Sequence, residues 1–385
     1  VVLQTKHDQG MLRKHHLLLL LKTIKRAGTI SRADLAKITK MSATSVSRIV
    51  KDLLDQNFIE EVGETEGNIG RRARLLAINP KGALMFGMNI ELEFIEIGVA
   101  DLSGSVLYKE KRKLDLTNSP QTILNNIAEF LESIKNMYAD YEDRILGCGV
   151  SIPGIVDWPS GKVITSPQFK WKNVEVGRIL EEKTGMSVLV DNQVKAILLG
   201  ESLYGRAVGV ESAACIYIGS GLGGAFMDKG EIIRGANNIA GEIGHTTVTP
   251  NGMLCSCGKL GCLQTYICTT FLEKESGRSY PEIFKAKKRN EEWAVSLLDR
   301  AAEYLALTIS NVVCTYNPEI IILAGALIEE YPEWVVSVKE KLKKYIWKIE
   351  QQIESRIYYQ SEASIGILGA SCLILSEFLD SPIAM

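Results

Sequence analysis

One histidine and three cysteines fall within eighteen positions. His245 closes the run Gly241-Glu242-Ile243-Gly244-His245, and Cys255-Ser256-Cys257-Gly258 and Gly261-Cys262 follow. Four soft or borderline ligands at the spacing His-x9-Cys-x-Cys-x4-Cys suit one tetrahedral zinc ion. The chain must double back tightly to close such a site, and Gly252, Gly258 and Gly261 let it do so. This spacing is neither that of a C2H2 finger nor that of a ribbon with two Cys-x2-Cys knuckles. Three reduced cysteines beside a core histidine are the bland alternative, but clustered Cys and His in a reduced protein usually hold metal. Cys148, Cys215, Cys268, Cys314 and Cys372 stand singly in apolar surroundings and read as small core residues.

A chain of 385 residues is long enough for two or three domains. Its purely aliphatic runs, such as Leu17 to Leu21, are far too short to cross a bilayer, and no cleaved signal is evident. A cytoplasmic location with no membrane partner is expected. The net charge of −2 hides an asymmetry: residues 1–80 hold 14 of the 44 Lys and Arg but 8 of the 46 Asp and Glu. A basic head on an acidic body points to nucleic acid at one end and a small molecule at the other.

Met11 to Arg26 has apolar residues at helical spacing. Ser31-Arg32-Ala33-Asp34 offers an N-cap with an acid three residues later, opening a helix through Ile38. Ser42 is a second N-cap candidate, for a helix to about Gln56. On that helix Val46, Ile49, Val50, Leu53 and Leu54 share a buried face, while Thr44, Ser45, Ser47, Arg48 and Lys51 point elsewhere. Small hydroxyl residues let such a helix sink into the major groove, and Arg48 can reach a base edge or phosphate. Phe58 to Val62 and Arg74 to Ile78 read as strands flanking a loop that carries Arg71 and Arg72. With Arg74 these make a wing suited to phosphate or minor-groove contact, and the whole is a winged helix-turn-helix. A protein-interaction module with a solvated basic loop is the alternative.

Beyond Pro80 the texture becomes α/β. A hairpin over Ala83 to Ala100, a helix over Thr122 to Tyr138 and a buried strand over Ile145 to Ile152 lead to Pro153-Gly154. A strand over Ser187 to Asp191 and a helix over Val194 to Tyr204 follow. The strand Ala213 to Ile218 runs into Gly219-Ser220-Gly221-Leu222-Gly223-Gly224, which could point backbone N–H groups at a phosphate or form a plain tight hairpin. Ile320 to Leu323 is a further strand.

Together these motifs resemble the ROK family of sugar kinases and sugar-responsive repressors. The resemblance spans roughly residues 80–385 and is carried by Glu242-Ile243-Gly244-His245 with the three cysteines, supported by Gly219 to Gly224 and Pro153-Gly154. It implies a two-lobed, actin-like ATPase (ribonuclease H-like) α/β fold, preceded here by the α+β winged helix of the family's repressor branch. The implied domains are 1–79 and 80–385. The latter divides into a smaller lobe of about 80–196 plus the C-terminal helix and a larger lobe of about 197–364. The resemblance also implies a structural zinc ligated by His245, Cys255, Cys257 and Cys262, a closed set with no position for an activated water. His245 would offer its other ring nitrogen, and Glu242 its carboxylate, to a sugar hydroxyl.

Where the family's kinases place an Asn-Asp pair with the catalytic base, this chain has Asn192-Gln193. A carboxamide cannot accept the hydroxyl proton at neutral pH. Asp191 is adjacent but, at a strand end, points to the opposite face. The Asp-x-Gly-Gly-Thr phosphate loop of those kinases reads Asn89-Ile90-Glu91-Leu92-Glu93, whose carboxylates would repel ATP. Gln264 and Gln168 replace a Glu and an Asn of the family's pattern and, as amides, still suit a sugar.

The expectation is a homodimer, or a dimer of dimers, with no enzymatic activity: a repressor binding double-stranded operator DNA. Thr44, Ser45, Ser47, Arg48, Lys51, Arg71, Arg72 and Arg74 would contact DNA. Asn192, Gln193, Glu242, His245 and Gln264 would hold a sugar effector, with neither ATP nor magnesium required. The competing expectations are an active hexose or N-acetylhexosamine kinase and a zinc-held scaffold that binds no sugar.

Overall fold

In the computed structural model, residues 4–64, 73–347, 353, 356–360 and 364–378 are described, with side chains from residue 16 onward. The head begins with α1 (Gln4–Ala27), seven residues earlier than periodicity implies, and Leu17, Leu20, Leu21 and Ile24 form its buried stripe. β1 (Ile30–Ser31) leads into α2 (Arg32–Thr39), where Ser31 Oγ accepts from Asp34 N at 3.1 Å and donates to its carboxylate at 2.6 Å. α3 (Ala43–Asp55) is capped in the same way by Ser42, which accepts from Ser45 N at 3.1 Å. β2 (Ile59–Glu64) and β3 (Arg74–Ile78) close an antiparallel sheet in the order β1-β3-β2. A winged helix results. Arg71 and Arg72 lie outside the described residues.

β4 (Leu84–Ile90), β5 (Phe94–Asp101) and β6 (Val106–Lys113) form an antiparallel meander. α4 (Pro120–Asn136) follows, and β7 (Ile145–Ile152) then lies parallel to β4. β8 (Ile155–Asp157), β9 (Lys162–Ser166) and β10 (Trp171–Val174) make a small antiparallel sheet. After α5 (Val176–Thr184), β11 (Val188–Asn192) completes the order β11-β7-β4-β5-β6 and feeds α6 (Gln193–Tyr204). One face of this sheet, with Phe86, Met88, Ile97, Val150 and Val190, packs on the apolar stripe of α4.

The chain from Gly205 to Ala363 forms a second compact unit; Val1–Tyr204 and Ser364–Met385 form the first. In the second, β12 (Ala213–Ile218), β13 (Leu222–Asp228) and β14 (Glu231–Ile232) precede α7 (Gln264–Ile267), α8 (Thr269–Ser276), α9 (Tyr280–Lys288) and α10 (Glu292–Tyr316). β15 (Ile320–Ala324), α11 (Ala326–Glu330), α12 (Pro332–Leu342) and β16 (Ile357–Tyr359) follow. Its sheet runs β14-β13-β12-β15-β16, with β12, β15 and β16 parallel.

α13 (Ile365–Phe378) returns to the first unit and lies on the sheet face opposite α4. Glycines make room for it: a Cβ on Gly87 would stand 2.1 Å from Ile367 O, and one on Gly149 only 1.7 Å from Ala370 O. Among the described residues no helix is long and apolar enough to cross a membrane.

Candidate metal centre, polar row and DNA-binding face

β4, β7 and β11 place a polar row on the α13 side of the sheet. Asn89 pairs in register with Ser151, and Ser151 with Asp191, all three buried. Alternation dictates this, because Asn89 shares the face of Gly87, Ser151 that of Gly149, and Asp191 that of Leu189. Ser151 Oγ donates to Asn89 Oδ1 at 2.9 Å, and Asn89 Nδ2 donates to Glu91 Oε1 at 3.3 Å.

Gln193, the buried first residue of α6, donates its amide to the same Glu91 oxygen and lies 3.4 Å from Asn89 Oδ1. Gln193 and Glu91, the two positions at which the resemblance implies a departure from the kinases, are therefore in contact. Asn192 acts structurally. Its Oδ1 accepts from Val194 N at 2.9 Å and Lys195 N at 3.3 Å, capping α6, while Nδ2 donates to Gly154 O at 2.9 Å. An asparagine just ahead of a helix is a favoured cap residue, and this is the role its side chain fills here. Asp191 accepts from Asn192 N at 2.7 Å and stays with the row.

In the second unit the glycine-rich stretch after β12 is a tight hairpin, pairing Ile218 with Leu222. Thr269 and Thr270 fasten the carbonyls of Gly219 and Ser220. The glycines of Gly241-Glu242-Ile243-Gly244-His245 press that segment onto β13. Gly241 has φ +101°, and a Cβ there would sit 2.0 Å from Gly224 O; one on Gly244 would sit 2.2 Å from Leu222 O. A 3-10 turn over Ile243–His245 then aims the imidazole at the cysteine loop.

The ligand atoms of His245, Cys255, Cys257 and Cys262 lie within 4.8 Å of one another. His245 Nδ1 is 3.6 Å from Cys255 Sγ, and Cys257 Sγ is 3.7 Å from Cys262 Sγ. A tetrahedron with zinc–sulfur arms of about 2.3 Å has edges of about 3.8 Å, so the donor set and its spacing fit zinc. Burial, with the Lys259 ammonium nearby, holds His245 below the ordinary histidine value and so favours the neutral ligand form. In the protein alone, burial pushes the Cys262 thiol up to about 12. Burial also raises Cys255, but hydrogen bonds from Cys257, Cys262 and the Gln264 amide outweigh it and bring that thiol below its ordinary value.

Gln264 is thereby placed at the Cys255 sulfur: its Nε2 donates to Cys255 Sγ at 3.1 Å and to Ser256 Oγ at 3.3 Å. On the other side of the imidazole, Nε2 lies 4.0 Å from Glu242 Oε2, a span that a hydroxyl group bonded to both would bridge. Gln168 sits half-buried between β9 and β10, next to the packed rings of Phe169 and Trp171.

On the head, Thr44, Ser47, Arg48 and Lys51 are exposed on α3 opposite Val46, Ile49, Val50 and Leu53. Leu54, expected on the buried face, is half-exposed at the end of the helix. Ser45 is half-buried and accepts from Ser42 Oγ at 2.9 Å. Arg74 is exposed but ion-paired with Glu61 of β2, as is Arg32 at 3.3 Å, so it ties the two wing strands together.

The family model for ROK matches residues 85–377, and that for the MarR family matches residues 10–67. The chain is 26% identical to the xylose repressor of Bacillus subtilis (strain 168), over 97% of this chain and 98% of that protein. It is 27% identical to the N-acetylglucosamine repressor of Escherichia coli O6:H1, over 80% of this chain and 79% of that one. Among solved structures, a ROK family transcriptional regulator homologous to Escherichia coli MLC superposes with a TM-score of 0.78 at 24% identity, covering 96% of this chain and 97% of its own. A ROK hexokinase from Thermus thermophilus gives 0.66 at 25%, covering 77% of this chain and all of its own.

Proposed function

The chain belongs to the ROK family and carries a MarR-type winged helix ahead of its family domain, and from this we propose that it is a sugar-responsive transcriptional repressor. The observation that carries the reading is the contact of Gln193 with Glu91. Phosphoryl transfer needs a proton acceptor on the sugar hydroxyl and a phosphate cradle without negative charge. This chain puts an amide at the first position and a carboxylate at the second, and bonds them together. The body then binds a sugar without phosphorylating it.

Thr44, Ser47 and Arg48 read bases, while Lys51 binds phosphate. Ser45 fixes the cap, and Arg71, Arg72 and Arg74 belong to the wing. In the second unit Glu242 and His245 hold the sugar; in the first, Gln193 stands where the kinases of the family place their base, and Asn192 caps the helix that Gln193 opens. Zinc, held by His245, Cys255, Cys257 and Cys262, supplies a fixed cross-link and sets the tautomer and direction of His245. The operator is bound by a homodimer, so its half-sites are related by two-fold symmetry. Release follows when a sugar binds the low-affinity conformation more tightly.

Fluorescence anisotropy with DNA from the region upstream of the protein's own gene tests this, titrated with xylose, glucose and N-acetylglucosamine. Specific binding weakened by one of the three supports the reading. Sugar-dependent ATP consumption at about 1 s⁻¹ or faster, typical of an enzyme, would establish the kinase instead.

A further inference from the structure

Two helices of the first unit, α6 and α13, both start at the polar row and both end against the winged helix. At the row, Gln193 opens α6 and donates to Glu91. Gly366, in the first turn of α13, lies so near Asn89 that a Cβ would stand 3.4 Å from its amide nitrogen. At the far end, the ring of Tyr204, last residue of α6, lies 3.7 Å beneath Lys25 Nζ, and its hydroxyl donates to Leu102 O at 3.2 Å. Lys25, in the last turn of α1, also donates to Ser103 O. Phe378 ends α13 with its ring centroid 5.4 Å from that of Phe58. Phe58 follows the recognition helix directly, and its N–H bonds to Leu53 O at 2.9 Å.

Between these ends the two helices touch backbone to backbone. A Cβ on Gly200 would stand 2.8 Å from Gly369 Cα, and one on Gly369 would stand 2.2 Å from Ala196 O. At so close a backbone crossing, a displacement of one helix is handed to the other. At twelve residues, α6 spans about 18 Å, the distance over which the row and the head would communicate.

We propose that α6 and α13 form the link that carries the state of the Asn89–Glu91–Gln193 cluster to the DNA-binding head, through Tyr204 on Lys25 and Phe378 on Phe58. The proposal rests on the repressor reading for its biological purpose, but its physical content does not require a sugar. Like charges in the cluster, introduced by Gln193→Glu opposite Glu91, are the sugar-independent stimulus. Tyr204→Leu removes the ring and hydroxyl at the seam; Tyr204→Phe keeps the ring and serves where the leucine variant folds poorly.

Hydrogen exchange of the full-length protein is the readout. Gln193→Glu is expected to speed exchange at residues 17–27 and at Phe58 by about threefold or more. Exchange in α2, which neither helix end contacts in the bonds above, should change less. In the Tyr204→Leu background the change at residues 17–27 should shrink, while that at Phe58 persists through α13. An unchanged head in the Gln193→Glu protein overturns the proposal, as does a full response at residues 17–27 in the Tyr204→Leu background. Loss of sugar response with this exchange pattern intact would count against the repressor reading and leave the link standing.

Discussion

Gln264 donates its side-chain amide to Cys255 Sγ across 3.1 Å, from a buried position in the first turn of α7. An N–H aimed at a thiolate stabilises its negative charge and fixes its direction, the part outer partners play at metal sites. A carboxylate in the same place would repel the thiolate unless protonated. The Gln264 amide is thus bonded to the candidate metal cluster.

Gln264→Leu should weaken zinc binding about 10- to 100-fold, the usual cost of losing an outer partner. Competition with a chromophoric chelator measures this. Zinc affinity unchanged beside a large loss of sugar binding would return Gln264 to the sugar site.

Replacing a ligand outright has a different signature. Cys262 is fully buried and closes the loop that positions His245 through the Thr247–Cys262 bridge. Cys262→Ser should abolish stoichiometric zinc, seen by metal analysis, and lower the melting temperature of the second unit, because zinc-binding energy is folding energy. An unaltered melting curve in the metal-free variant would show that the site does not support the fold.

Restoring the carboxylate of the kinases should not restore the kinase. In Gln193→Asp the new acid faces Glu91, and like charges at hydrogen-bonding distance disfavour the ionised base that catalysis needs. ATP turnover with any of the three sugars should stay far below about 1 s⁻¹. Recovery of turnover would mean that Glu91 does not obstruct phosphate.

For DNA, Arg48→Ala should cost about 1–3 kcal/mol of operator affinity and relax the preferred sequence, as loss of a base-reading arginine does. Arg74→Ala should act mainly through the wing, because Arg74 is paired with Glu61. Its effect should be smaller and similar on all sequences. Equal losses for the two variants would place Arg48 on phosphate.

Gly149→Ala should destabilise the first unit by about 1–3 kcal/mol, since a Cβ there would stand 1.7 Å from Ala370 O and α13 must shift off the sheet. Urea unfolding followed by far-UV circular dichroism reads this. A neutral result would show that α13 is not seated as tightly as its glycine track implies.

Patterns of short range were legible without coordinates. Ser31 and Ser42 cap α2 and α3 as their spacing implies, and the strands Ile145–Ile152 and Ala213–Ile218 fall where apolar runs end in turn residues. The gathering of His245, Cys255, Cys257 and Cys262 into one cluster was readable for the same reason: eighteen consecutive positions with three glycines leave few ways to fold. The cap that Asn192 makes on α6 is equally local, an asparagine directly ahead of a helix.

What the chain alone determined was local chemistry: which residues can ligate, cap, alternate and carry charge, because those depend on neighbours a few positions away. Tertiary structure decided the pairings across long separations. Gln193 meets Glu91 across 102 positions because β11, β7 and β4 lie side by side. Gly366 reaches Asn89 because the last helix returns to the first sheet. Each such contact is set by how sheets order their strands and where helices can approach them, and no window of sequence contains both partners.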